Sequence, residues 1–264
     1  MSPREGAEAP PIAGRLPASQ GHNRPMSATP RPTIRRALVV DDERALAGVV
    51  RSYLARDGFE VAMAHDGETA LALARSFDPD VVVLDLGLPA VDGIEVCRSL
   101  RTFSDCYVVM LTARVEEVDM LVGMSVGADD YITKPFSPRQ LMARIHAMFR
   151  RPRVAPTSAE RDEPPLTVGD LSIDVPGREV DLAGDPVPLT RTEFDVLVAL
   201  ARRPQAVLSR ATLIETVWGA DWVGDEHLVD VHVLHVRQKL GDNATEQRYI
   251  RTVRGVGYRI GTGR

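Results

Sequence analysis

Between residues 35 and 151, five short apolar runs alternate with amphipathic stretches, and no other feature of the sequence restricts the possible folds as strongly. The runs are 37–40, 59–63, 81–84, 107–111 and 131–133. They are valine-rich and nearly continuous in hydrophobicity, which suits strands covered on both faces. The stretches between them carry helical spacing. Ile94, Cys97 and Leu100 share a face, and Leu141, Ile145, Met148 and Phe149 recur at i, i+4, i+7 and i+8. Five such units predict a doubly wound (βα)5 α/β domain with a parallel sheet, binding its ligands beyond the carboxyl ends of the strands.

Those ends carry chemistry. Asp41 and Asp42 follow the first run, Asp85 the third, Thr112 the fourth and Lys134 the fifth. Three carboxylates gathered at one edge repel one another unless a cation is present. Hard oxygen ligands select Mg²⁺, which keeps several waters and takes one or two carboxylates plus a phosphate. Lys134 and Lys239 are the only lysines among 32 basic residues, so Lys134 is no filler charge. It suits a phosphate oxygen, and Thr112 offers a hydroxyl donor. The set fits in-line phosphoryl transfer onto a carboxylate. Aspartate and threonine are also ordinary turn residues, but five convergent positions, one a rare lysine, weigh against that reading.

The rest of the chain organises around this domain. Residues 1–33 are proline-rich and lack the apolar core of an export signal, so a disordered leader is expected, with Met1 or Met26 as the start. No apolar run approaches the ~20 residues of a membrane span. A cytoplasmic protein with no membrane partner follows, its Cys97 and Cys106 reduced and buried. Residues 152–165, with four prolines and mixed charge, read as a linker between a domain over 34–151 and another over 166–264.

The second domain changes pattern to α+β. Strand candidates at 171–175 and 179–182 are separated by the turn signals Pro176-Gly177 and Gly184-Asp185. Thr190 and Glu193 form a capping box, and Phe194, Leu197, Val198 and Ala201 an inward stripe behind it. Helices are expected at 209–217 and 226–240, and a hairpin at 249–253 and 258–260 around Gly-Val-Gly. On a wheel, Val229, Val233, Val236 and Leu240 face the core of the long helix. The opposite face shows His227, Val231, Leu234, His235 and Gln238, flanked by Arg237 and Lys239.

These motifs resemble a known family. VVDDE (39–43), VLDLGLPAVDG (83–93), MLTAR (110–114) and GADDYITKPF (127–136) are similar to the receiver domain of two-component response regulators. LTRTEFDVLVAL (189–200), VDVHVLHVRQKLG (229–241) and VRGVGYRI (253–260) resemble the winged helix-turn-helix effector domain of the OmpR/PhoB group. The resemblance implies a transcriptional regulator rather than a turnover enzyme, with Asp85 phosphorylated from a sensor histidine kinase. Asp42 and Asp85 would hold Mg²⁺ directly, Asp41 through water, and the Gly87 carbonyl would add a ligand. Thr112 and Tyr131 would be the switch pair.

It also implies partners. The long helix would enter the major groove of promoter DNA, with Arg251, Arg254 and Arg259 of the hairpin near the backbone or minor groove. Residues 218–225 resemble the loop that engages RNA polymerase, although their tryptophans suit a core equally well. Phosphorylation would promote a homodimer. Where relatives place a charged pair across the dimer face this chain has Met120 and Gln140, while Asp130 and Arg144 remain able to pair. A bulkier residue is usual at Gly87, which leaves the dephosphorylation rate open.

Charge sharpens the DNA expectation. The whole chain has a net charge of −5, and residues 166–264 carry 12 Lys+Arg against 14 Asp+Glu, a net of −2. A DNA surface must therefore be local, and tighter binding is expected as pH falls, through His235 and His227. Two rival readings are an Mg²⁺-dependent phosphohydrolase and a receiver with a protein-binding output. The first needs a second acid two residues after the nucleophile, where Gly87 stands; the capped helix, long helix and hairpin argue against the second.

Overall fold

The computed structural model describes residues 34–112, 127–149 and 163–264; the expected leader, most of the expected linker and Met120 lie outside them. The apolar runs form β1 (Arg36–Val40), β2 (Glu60–Ala64), β3 (Val81–Asp85), β4 (Tyr107–Thr112) and β5 (Asp130–Thr133). They make one sheet of order β2-β1-β3-β4-β5 with every pair parallel. Alternation along β1 shows why the runs are uninterrupted: Leu38 and Val40 join the core on one face, Ala37 and Val39 the core on the other. Each face is covered by helices, so neither face of a strand can be polar.

The helices are α1 (Arg44–Arg56), α2 (Gly67–Phe77), α3 (Gly93–Leu100) and α4 (Pro138–Phe149). Asp66 and Asp92 start α2 and α3 by accepting the amides of Thr69 and Ile94. The strand order reverses between β1 and β3, the topological position where open α/β sheets bind ligands. Cys97 and Cys106 are buried and form no disulfide among the described residues, and burial pushes the Cys97 thiol up to about 12.

The second half opens with an antiparallel sheet, β6 (Leu166–Val168), β7 (Leu171–Asp174), β8 (Glu179–Leu182) and β9 (Asp185–Pro186). Three helices follow: α5 (Arg191–Ala201), α6 (Arg210–Val217) and α7 (Leu228–Lys239). The short β10 (Leu208–Ser209) precedes α6, and the chain closes with β11 (Ile250–Val253) and β12 (Gly257–Ile260), which lies between β10 and β11. The outermost strands β6, β9 and β10 are two or three residues long, too short to carry a periodic signal in the sequence. Gly255 takes φ +73° in the turn before β12, a left-handed conformation that suits glycine. No helix among the described residues is long and apolar enough to cross a membrane.

Candidate functional site: an acidic pocket and a covered helix

The reversal between β1 and β3 brings the expected residues together. One carboxylate oxygen from each of Asp41, Asp42 and Asp85 lies within 4.8 Å of the others. Lys134 Nζ reaches them from the end of β5, 3.1 Å from Asp41 Oδ2 and 3.0 Å from Asp85 Oδ1. Asp41 and Asp85 are buried while Asp42 is exposed, so the cluster opens to solvent on one side. Burial raises the Asp41 carboxyl above the usual range although Lys134 opposes it. Burial would lower the Lys134 ammonium, but its bonds to Asp85 and Asp41 outweigh this and raise it. Three oxygen donors around a partly open space match what a hard divalent cation needs.

The surrounding backbone is tight on one side and open on the other. A Cβ on Gly93 would stand 2.3 Å from the Asp85 carbonyl oxygen and 2.8 Å from Leu86 Cα, so only glycine lets α3 start this close to β3. A Cβ on Gly87 would meet only Asp85 Oδ2, at 3.6 Å. Thr112 is fully buried, and its carbonyl accepts the Lys134 amide at 2.6 Å, tying the ends of β4 and β5 together. Tyr131 points inward with its hydroxyl buried and without a partner among the described residues; burial pushes the phenol up.

Asp130 and Arg144 are paired within the chain, and both are buried. Trp222 covers them: its indole N–H donates to Asp130 Oδ2 at 3.3 Å, and Arg144 stacks 5.0 Å from its ring centroid. Trp218 and Trp222 are thus both buried, and Trp222 seals the contact between the two halves. The same contact continues through Asp129. Its Oδ1 accepts the Thr192 hydroxyl at 2.6 Å, and its backbone carbonyl meets His232 Nε2 at 3.1 Å. Arg191 adds an ion pair to Asp105 at 2.8 Å.

This contact changes the expectations for α7. Val229, Val233, Val236 and Leu240 face the core as the wheel predicts, but Val231 and His235 are buried too, at 2% and 1% exposure. The wheel treats the face opposite the core as solvent, whereas in the folded chain α5 and the residues around Asp129 lie against it. Of the remaining residues on that face, His227 and Gln238 are exposed and Leu234 half-buried. Arg237 is a further correction: its guanidinium is buried and donates to Ile250 O and Thr252 Oγ1, fastening α7 to β11. Lys239 is bound to Glu193 Oε2 at 2.6 Å. Arg254 is exposed, and Arg251 and Arg259 half-buried, on the terminal hairpin.

His227 Nδ1 donates to Asp230 Oδ2, 2.9 Å away, and this bond raises its imidazole pKa. Asp129 and His232 are functional candidates that the sequence does not single out. Asp129 sits inside the GADDY run, but its role rests on partners 63 and 103 residues away, which leave no local signal.

Comparisons with known proteins agree on two regions. A family model described as "Response regulator receiver domain" matches residues 37–146, and one described as "Transcriptional regulatory protein, C terminal" matches 184–260. The chain is 45% identical over 228 residues to the DNA-binding response regulator MtrA of Mycolicibacterium smegmatis, covering 86% of this chain and 96% of that protein. It is 42% identical over 231 residues to the alkaline phosphatase synthesis transcriptional regulatory protein PhoP of Bacillus subtilis, covering 86% and 96%. Among solved structures, a cysteine-to-serine mutant of RitR superposes with a TM-score of 0.68 at 30% identity, covering 87% of this chain and 100% of that one.

Proposed function

Because the chain belongs to the OmpR/PhoB family of DNA-binding transcriptional response regulators of two-component systems, we propose that Asp85 is its phosphoacceptor and that phosphorylation switches its output. The observation that carries this is the approach of Lys134 Nζ to Asp85 and Asp41 beside a three-carboxylate pocket. An Asp85 oxygen attacks the phosphorus of a phosphohistidine on a sensor kinase, and the P–N bond breaks as the new P–O bond forms. Lys134 and the Thr112 hydroxyl receive the phosphoryl oxygens. Asp41, Asp42, Asp85 and the Gly87 carbonyl would hold Mg²⁺, which when bound neutralises charge on the transferring group. The receiver spans 34–151, the linker 152–165 and the effector domain 166–264, and the protein acts in the cytoplasm as a switch rather than a turnover enzyme.

Output passes through Tyr131. Turning the Thr112 hydroxyl toward the phosphoryl group frees the ring to shift, and Tyr131 adjoins Asp130, whose cover is Trp222. The freed helix α7 would then read promoter DNA with the hairpin arginines, and 218–225, where Val223 is 69% exposed, would be available to RNA polymerase.

Two experiments test this reading. Acetyl phosphate with Mg²⁺ should add one phosphoryl mass to the wild type and none to Asp85→Asn, read by intact-mass measurement; equal labelling of both rejects Asp85. The uncovered Asp130–Arg144 face would support an isologous dimer. Sedimentation should therefore show the phosphorylated wild type dimerising with rising concentration and Arg144→Asp remaining monomeric. Equal dimerisation of the two rules out that face.

A further inference from the structure

His232 is the one imidazole of α7 that no expectation singled out, and it is completely buried between the two halves of the chain. Its Nε2 lies 3.1 Å from the Asp129 carbonyl oxygen, an acceptor, so Nε2 carries the ring proton. That leaves Nδ1 as the bare nitrogen, buried and without a partner among the described residues. The ring centroid stands 5.4 Å from that of Trp218 and 6.1 Å from that of His235. A second proton would have to sit on Nδ1, which meets no acceptor among the described residues.

Among the described residues three titratable groups face this ring: Asp129 just before β5, Glu193 from α5 and His235 from α7 itself. Neither carboxylate is spare. Asp129 already accepts Arg101, the Val108 amide and the Thr192 hydroxyl. Glu193 accepts Lys239 and the Thr190 amide, with the His235 ring 3.5 Å from its other oxygen. Each is neutralised by a neighbouring cation, Arg101 or Lys239, so an imidazolium at position 232 would gain little from them.

We propose that His232 makes the closed contact between α7 and the receiver proton-sensitive, so that acidification releases the helix without phosphorylation. Burial, reinforced by His235, lowers the His232 imidazole to about 4 in the closed form. Once the helix is released, the ring returns to water and to a pKa near ~6.5. The sign follows from linkage. Closing disfavours the protonated ring, so its stabilisation of the closed form is complete above pH ~6.5 and fades as pH falls toward 4. Between pH 7.5 and 5.5 the open-to-closed ratio should rise about tenfold.

Single-molecule energy transfer reads that ratio directly. Dyes on Val49→Cys and Val256→Cys, both exposed positions in the two halves, report opening in the full unphosphorylated chain without DNA. The expected result is an about tenfold rise in the ratio for the parent and none for His232→Gln, which keeps a donor for the Asp129 carbonyl. His232→Leu, which keeps apolar contact with Trp218, should be equally pH-insensitive and serves if the glutamine variant does not fold. An unchanged parent ratio, or an equal rise in either variant, overturns the proposal. The consequence for DNA rests on the reading of α7 as the DNA helix, and a parallel titration with a 30-base-pair mixed-sequence duplex separates the two ideas. Opening with tenfold tighter duplex binding supports both; opening with no binding at any pH supports the proton switch and rejects α7 as the reading helix.

Discussion

Replacing Lys134 with alanine should slow phosphorylation of Asp85 by acetyl phosphate about 100-fold, the scale on which losing one preorganised donor to a developing charge is felt. The ammonium lies 3.0 Å from Asp85 and is the only cation among the described residues in contact with the cluster. The same substitution should tighten Mg²⁺ binding, because Asp41 and Asp85 lose their internal counter-charge and the pocket becomes more negative. The opposite signs make the test specific. A mass-resolved time course at saturating Mg²⁺ gives the rate, and a metal titration gives the affinity. An unslowed variant would show that Lys134 only balances the resting carboxylates.

Glu193→Ala should cost about 2–4 kcal/mol of unfolding free energy, measured in urea, because it strips several partners of one fully buried carboxylate. Glu193 closes the capping box of α5 with Thr190, and the same Oε2 receives Lys239 from α7. Burial alone would raise this carboxyl, yet His235, Lys239 and the Thr190 amide together hold it down to about 2, against 4.5 for a free glutamate. A depressed carboxylate stabilises the fold above its unfolded pKa and ceases to do so as pH falls through its folded one. The shift corresponds to a contribution on the order of 3 kcal/mol. Wild type and variant should therefore differ most above pH 5 and converge as pH approaches 2. A difference that persists undiminished at pH 2 would mean that packing, not the charge, supplies the stability.

Removing Glu193 also bears on the contact between the halves, since the neighbouring Thr192 donates to Asp129 and Lys239 anchors α7 on α5. Residues 190–193 therefore serve two purposes, and only one of them is local. The Thr190–Glu193 box is legible in the sequence because its partners are three residues apart and the geometry of a helix start prescribes both bonds. The acidic pocket is legible for a different reason. Its members are distant in sequence, but each terminates an apolar run, and a parallel sheet necessarily delivers all such ends to one edge. Asp41, Asp42, Asp85, Thr112 and Lys134 could thus be assembled from runs and their last residues alone.

The surface of α7 followed no such rule. Helical periodicity distinguishes a face that is buried in its own domain from the face opposite, and it assigned Val229, Val233, Val236 and Leu240 to the core as found. It carries no information about what covers the opposite face. There, His232 lies out of solvent against the Asp129 carbonyl of the first half, and His235 is buried beside Glu193 of α5. The sequence alone determined the architecture of each half and the residues of the acidic pocket, since these follow from local periodicity and the geometry of a parallel sheet. Only the tertiary structure decided that α7 is covered on the face opposite the core and that an imidazole is sealed inside the contact. A polar side chain reads the same on paper whether its neighbour is water or a carbonyl oxygen 103 residues away.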